Sequence, residues 1–539
     1  MHSLARCHKS VFILLFLSSL LAHTQQPGQP LTHHIRPAVF SGLAKPVAPL
    51  PSTQRMNLSL ILPLRNQKQL TAFLSQLYDP SSLNYRRFLS VAKFTEQYAP
   101  SAEDYQTIVD FAKAQGFVVT ASPANRLVVP ISGTVEQVQR AFNVSMKLYQ
   151  HPKENRTFFS PDREPSIPSS LNIVHIAGLN NYSLPRSMSV RGNADQRLNN
   201  ASIQGSGPGG SYLSSDMRAA YYGGTALTGS GQTLGLVQFD GYNISDVVAS
   251  FDGAASATAS GSDYVLTYTP SAGGTTYTIP IENVLLDGAT GTPGQFYPPA
   301  DDAEQVLDIV QAVGMAPGLS HVRIYIGNSD ADILNAIASD TEHLAKQISI
   351  SWSWSPDDPA TDDVFFEEFA AQGQSIFVAS GDYGAYSPSA PYYYPAEDAW
   401  VTAVGGTSLT TSGPAGALVS EIAWDQSGGG TSPDGIPIPS WQAGVANSSN
   451  GASSTLRNVP DVAMEADFDN YDCDMGGCAG TWAGTSFAAP RWAGFIALAN
   501  QQATAAADPP IGFVNPWIYL IGANSSYGSE FHDVAAGDN

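Results

Sequence analysis

A chain of 539 residues has room for more than one domain, and 43% hydrophobic against 13% charged residues excludes a disordered one. The formal charge of −22 is unevenly placed: 20 Lys and Arg against 10 Asp and Glu precede Ser211, and 5 against 37 follow from it, so +10 precedes −32. So acidic a C-terminal region argues against a nucleic-acid partner, and the two regions of opposite sign become candidate partners for each other.

In chain order, Arg6 and Lys9 precede an apolar run over residues 11–21 that is short for a bilayer span. Residues 1–24 therefore read as a secretory signal peptide, which implies a secreted, extracellular product with no membrane attachment afterwards. Residues 25–51 are Pro-rich and extended. A strand is expected over 57–64, and Leu70, Phe73, Leu74 and Leu77 predict a helix over 67–78. Further helices are predicted over 95–99 and 101–115, the second with Ser101 as N-cap and Asp104 three residues on. Strands at 117–120 and 126–131, a helix at 134–142 and a strand at 144–148 complete a small α+β sandwich over 25–184. Residues 185–210 are rich in Arg, Asn, Gln, Ser and Gly and read as a linker that carries a processing site.

From Ser211 to Asn539 the pattern changes. Apolar strands at 231–240, 321–326, 347–352, 375–380 and 400–404 alternate with helices at 303–315, 330–339 and 361–372. That alternation predicts an α/β domain with a mostly parallel sheet flanked by helices, and ligands at the carboxyl ends of its strands. Cys7 leaves with the signal. Cys473 and Cys478, five residues apart in an exported chain, are expected to form a disulfide; zinc is a poor alternative because no second Cys or His pair lies nearby.

Three stretches carry chemistry. Gly484-Thr485-Ser486 opens an apolar helical run, which suits either an N-cap or a serine nucleophile whose oxyanion faces the helix N-terminus. Glu304 and Asp308 stand one turn apart on a helix that is otherwise apolar. Such pairs are common on solvated helix faces, but here the polar face is narrow, and two close carboxylates raise one another's pKa and serve as a base with a partner. Asp382 lies between Gly381 and Tyr383-Gly384 at a strand end, in turn chemistry or as a protonated donor to an oxyanion. The acidic region holds His321, His343 and His532, none in a Gly-rich setting that suits a Ser-His-Asp triad.

The string from Ala483 to Pro490 resembles the nucleophile motif of the subtilisin-like peptidase clan. Glu304, Asp308, Asp382 and Ser486, in this order and context, resemble the sedolisin (serine-carboxyl peptidase) family, of kumamolisin-like type. Further matching strings are Ser349-Ile350-Ser351-Trp352, Pro460-Asp461-Val462 and the stretch from Gly512 to Tyr519. Upstream, the stretches Asp79–Leu89, Tyr98–Ser101 and Gly133–Val144 look like that family's activation prodomain. The resemblance implies a subtilisin-like catalytic domain and an acid-acting zymogen, either endopeptidase or tripeptidyl peptidase. Its implied roles are Ser486 as nucleophile, Glu304 as base, Asp308 as partner and Asp382 at the oxyanion. Ser349, Ile350, Ser351 and Trp352 become the substrate-binding strand, and the prodomain becomes an intramolecular inhibitor or chaperone of a monomer. Two departures stand out. Gln238 occupies a place where many relatives carry a Glu. Of the family's Ca2+ loop, only Asp533 and Val534 are matched before Asn539, so the cage for one ion is expected to be incomplete. A catalytically impaired, peptidase-like binding protein is the alternative reading. At neutral pH the basic prodomain is expected to be attracted to the acidic domain, and acid is expected to release it.

Overall fold

Residues 28–192, 205–251, 253–270, 274–297, 299–355, 359–387, 393–447 and 449–539 are described by a computed structural model of the chain. The signal peptide and the centre of the linker, residues 193–204, lie outside them.

The N-terminal sheet is built on strand Arg55–Ile61, which pairs antiparallel with Val128–Thr134 on one side and His175–Ala177 on the other. Val118–Val119 adds the outer edge beyond Val128–Thr134. Side chains alternate across a strand, and both faces of this sheet are used. Leu58, Leu60, Val129 and Ile131 pack beneath helices Ala102–Ala114 and Val135–Phe142. Ile61, Val128 and Ala177 face the catalytic domain and join Ile333, Leu334 and Ile337 in one apolar cluster. The expected Ser101 cap is present, with its Oγ accepting from the Asp104 N–H at 3.0 Å. Thr134 and Gln137 close a full capping box. The helix expected at 95–99 instead spans Val91–Gln97, because Ser90 supplies the cap and the Thr95 hydroxyl turns inward to donate to the Val91 carbonyl at 2.7 Å.

The large sheet of the second domain runs in the order Ala254–Ser260, Asp263–Thr269, Tyr277–Leu285, His321–Ile326, Thr233–Gln238, Gln347–Ile350, Ser375–Ala379, Thr402–Thr411, Leu418–Ala423. Its five central pairings, from Tyr277–Leu285 to Thr402–Thr411, are parallel, and the outer hairpins at both edges are antiparallel. Helices Ala303–Met315 and Thr485–Ala505 cover one face through Val306, Val310, Ala489 and Ala493. Asp330–Ala338 and Ala360–Gln372 cover the other through Ile333, Ile337, Phe365 and Phe369. This is the subtilisin-like α/β arrangement the alternating pattern predicts. Helices start where strands end, so Gln238, Ser351, Asp382, Glu304 and Ser486 gather at the carboxyl edge of the sheet.

The N-terminal domain docks through apolar contacts and through donors both charged and neutral, Arg86 donating to the Pro510 carbonyl at 3.0 Å. Tyr78 buries its ring against Phe513, donates to the Ala370 carbonyl at 2.7 Å and accepts from the Phe513 N–H at 3.0 Å. Carboxyl groups of the catalytic domain meet uncharged prodomain partners: Asp332 accepts from Ser59, Glu367 from Gln67 at 2.7 Å, and Glu368 from Asn125 at 2.8 Å. Burial raises the pKa of all three, Glu367 to about 7 and Glu368 to about 8. None of these three contacts is an ion pair.

Candidate active site

Ser486 is the second residue of helix Thr485–Ala505 and is fully buried. Gly484 precedes it at φ 132°, a backbone conformation that L side chains rarely adopt. A Cβ at Gly484 would also collide with the Met188 carbonyl oxygen and stand 2.8 Å from Asp382 Oδ2. The Ser486 N–H donates to that Met188 carbonyl at 3.1 Å, and its Oγ donates to the Ser351 carbonyl at 3.3 Å. The Ser486 hydroxyl thus rests on a backbone carbonyl and does not close a hydrogen bond to Glu304.

Glu304 stands in the first turn of helix Ala303–Met315, 2% exposed, and neither carboxylate oxygen has a hydrogen-bond partner. Burial, then the neighbouring Asp308, drives its pKa well above the usual carboxylate range. Nearby Ser486 and Ser189 hydroxyls oppose that rise without reaching hydrogen-bond geometry.

Asp308 is better held. It accepts from the Gln238 side-chain amide at 2.6 Å and meets Ser351 Oγ at 2.5 Å. Gln238 is oriented in turn by the Trp352 indole N–H, which donates to its carbonyl oxygen at 3.0 Å. Burial pushes Asp308 up to about 8. The departure noted at Gln238 therefore takes a definite form: a Gln there donates to Asp308 and passes no proton.

Asp382 follows strand Ser375–Ala379, after Gly381 at φ 107°. Its Oδ1 accepts from the Thr485 N–H at 2.7 Å and the Thr485 hydroxyl at 3.0 Å, while the Thr485 Oγ1 accepts from the Gly381 N–H. Oδ2 is buried without a partner. Burial raises the carboxyl to about 7, so it carries a proton through the acid range.

Within the anticipated substrate strand, Ser349 and Ile350 lie inside the sheet, paired on both sides with Leu236, Val237, Phe377 and Val378. The accepting edge begins one step later, at Ser351, and continues through Trp352 and Ser353. Sequence reasoning also passed over Thr485, which clamps Asp382, and the Ser351 hydroxyl that reaches Asp308. Both sit inside strings already singled out, and their roles need the fold to bring distant strands together.

Cys473 and Cys478 are joined by a disulfide across the hairpin that leads into Ser486. Met475 and Gly476, both at positive φ, make the two-residue turn that sets this register. Asp533 accepts from the Tyr527 hydroxyl at 2.8 Å and Val534 follows it, but no further carboxylate joins them among the described residues. The donor set around Asp533 and Val534 does not fit a calcium ion, which takes six to eight oxygens. One His and carboxylate cluster lies elsewhere: His321 and His343 stack at 3.7 Å and each bonds Glu282 at 2.9 Å, with Arg323 on the same carboxylate. His321 starts its strand, at the opposite edge of the sheet from Ser486.

The family model for the pro-kumamolisin activation domain matches residues 44–182, and that for the subtilase family matches residues 304–509. Kumamolisin of Bacillus sp. (strain MN-32) is 29% identical over 91% of this chain and 87% of its own length. Sedolisin of Pseudomonas sp. (strain 101) is 26% identical over 92% of this chain and 84% of its own. Human tripeptidyl-peptidase 1 is 32% identical over 31% of each chain. Among solved structures, Pseudomonas sedolisin complexed with two molecules of pseudo-iodotyrostatin aligns with a TM-score of 0.47 at 24% identity, covering 61% of this chain and 89% of that one.

Proposed function

This chain belongs to the sedolisin family of serine peptidases, a zymogen with an activation prodomain ahead of its catalytic domain, and we propose that it cuts peptide bonds by a serine-carboxyl mechanism centred on Ser486. The observation that carries the reading is the set of buried, unpartnered carboxyl oxygens, both of Glu304 and Oδ2 of Asp382, around the helix start that holds Ser486. Leaving a buried carboxyl oxygen unpaired is costly, and here the reacting groups would satisfy it.

In this mechanism Ser486 Oγ leaves the Ser351 carbonyl and attacks the scissile carbonyl carbon, giving its proton to Glu304. The Ser486 N–H and the protonated Asp382 Oδ2 stabilise the oxyanion. Glu304 returns the proton to the departing amine, then takes one from the water that hydrolyses the acyl-serine. Asp308 positions. It is held by the Ser351 hydroxyl and the Gln238 amide, which both donate to it.

A carboxylic acid donor at the oxyanion favours acid. The Asp382 donor is present below about pH 7 and is lost as pH rises through it. Export by residues 1–24 and action outside the cell as a monomer belong to this proposal. No helix among the described residues is long and apolar enough to cross a membrane. The experiment is hydrolysis of a peptide library by the acid-treated precursor, alongside Ser486→Ala. Cleavage abolished in the variant supports the reading, and its profile separates endopeptidase from tripeptidyl peptidase; equal turnover in both proteins would refute it.

A further inference from the structure

The segment just after the prodomain lies across Ser486 in the register of a substrate. Arg186 and Ser187 pair antiparallel with Ser353 and Trp352. Val190 and Arg191 pair antiparallel with Ala483 and Trp482 on the opposite wall. Met188 and Ser189 are the two residues between these ladders. The Met188 N–H donates to the Ser351 carbonyl at 3.0 Å, and its carbonyl accepts from the Ser486 N–H at 3.1 Å. That same carbonyl oxygen and Asp382 Oδ2 both crowd the position a Cβ on Gly484 would take. The Met188 oxygen thus sits where an oxyanion would be held. A slip of one residue would turn the wrong carbonyl to the Ser486 N–H, because successive residues of an extended chain face opposite ways.

The segment is fastened at both ends. Arg186 is held by Glu154 at 3.0 Å, the Arg191 guanidinium lies 5.6 Å from the Trp482 ring centroid, and the Gly192 N–H donates to the Thr481 carbonyl at 2.8 Å. The Met188 side chain is fully buried in the apolar core of the catalytic domain, and Ser189 stands beside Glu304.

We propose that Met188–Ser189 is the bond this enzyme cuts in its own chain, and that its acyl-side pocket selects apolar side chains. The inference rests on the serine-carboxyl reading above and adds the bond and the preference. Ser486 Oγ bonds to the Met188 carbonyl carbon while its proton passes to Glu304. The Met188–Ser189 C–N bond then breaks, and the Ser189 nitrogen leaves with that proton as a new amino terminus. Water adds to the Met188 ester, its proton goes to Glu304, and the Met188 carboxylate and the Ser486 hydroxyl are released.

The test uses the full-length precursor, moved to acid and quenched at early times, with terminal sequencing and intact mass. The first products should be a prodomain piece ending at Met188 and a chain beginning at Ser189. Met188→Asp should slow the cut at this bond by about a hundredfold or more, since the pocket would have to bury a carboxylate, while Met188→Leu should still be cut there. A synthetic peptide of residues 184–192, given to the processed enzyme, should be cut between Met188 and Ser189 and gives the same answer without refolding a variant. A first cut elsewhere, in a preparation that hydrolyses an added peptide, overturns the assignment and leaves the mechanism standing. Failure to hydrolyse any peptide, with the precursor intact, overturns both.

Discussion

Two of the regions that bury carboxyl groups in this molecule treat them differently. At the prodomain interface Asp332, Glu367 and Glu368 are each met by a neutral donor, Ser59, Gln67 and Asn125. At the carboxyl edge of the sheet Glu304 keeps both oxygens and Asp382 one oxygen without a partner. Burial raises the pKa in both places, so the shift alone does not tell chemistry from docking. The partners do. A satisfied carboxyl holds two surfaces together, whereas an unsatisfied one is poised for a group that arrives during reaction.

Substitutions at the unsatisfied carboxyls should therefore cost turnover more than stability. The largest effect is expected from Glu304→Gln, which keeps the shape but cannot take the Ser486 proton. Its kcat should fall by about 10²–10⁴, the usual worth of a general base, with the thermal midpoint of the precursor nearly unchanged. A variant with normal turnover would move the base elsewhere. Next, Asp382→Ala should cost roughly 2.7–4 kcal/mol of transition-state stabilisation, as for other lost oxyanion donors. The same variant should lose the fall in activity that wild type shows as pH rises through about 7, read from a pH–rate profile. A third, smaller effect falls between the classes. Gln238→Leu orphans the Trp352 indole N–H and one Asp308 oxygen, and should destabilise the fold by about 1–3 kcal/mol for each orphaned group, measured by denaturant titration. No loss of stability would mean that the Gln238 bridge is dispensable.

The parallel centre of the catalytic domain was legible because its strands are buried on both faces and read as unbroken apolar runs, such as Leu234–Val237 and Ile376–Ala379. Helices Ala303–Met315 and Asp330–Ala338 were equally plain. The hairpins at 254–285 and the strands at 418–423 and 470–483 were not anticipated. Ala254–Ser260 and Gly477–Ala483 are rich in Ser, Thr, Ala and Gly and partly exposed, so apolar patterning is weak there. Of the four reacting residues, periodicity supplied only the Glu304 and Asp308 pairing. Ser486 and Asp382 stood out through short Gly-flanked strings and the family resemblance. Met188 carried no signal, because its position depends on two ladders whose strands are more than a hundred residues away in sequence.

The smallest and most discriminating effect concerns the satisfied carboxyls. The charge split along the sequence suggests that acid loosens the prodomain. The interface argues the reverse. Burial in the docked state holds Glu367 up at about 7 and Glu368 at about 8, and to the extent that release exposes them toward the ~4.3 of a free Glu, docking takes up protons. A group with a raised docked pKa contributes stability that is complete below its free value and is lost as pH rises through its docked value. Exposed charges of opposite sign act over distance and are screened by salt, whereas these three groups lie in the contact itself. The cleaved, non-covalent prodomain should therefore leave faster at pH 8 than at pH 5, by up to about one decade per pH unit for each titrating group. Glu368→Gln, which keeps the Asn125 contact without titrating, should flatten that dependence while leaving release at pH 5 nearly unchanged. Stopped-flow or size-exclusion measurement of prodomain release across pH decides the matter. Faster release at pH 5 would mean that long-range charge governs the zymogen and that the buried carboxyls only follow.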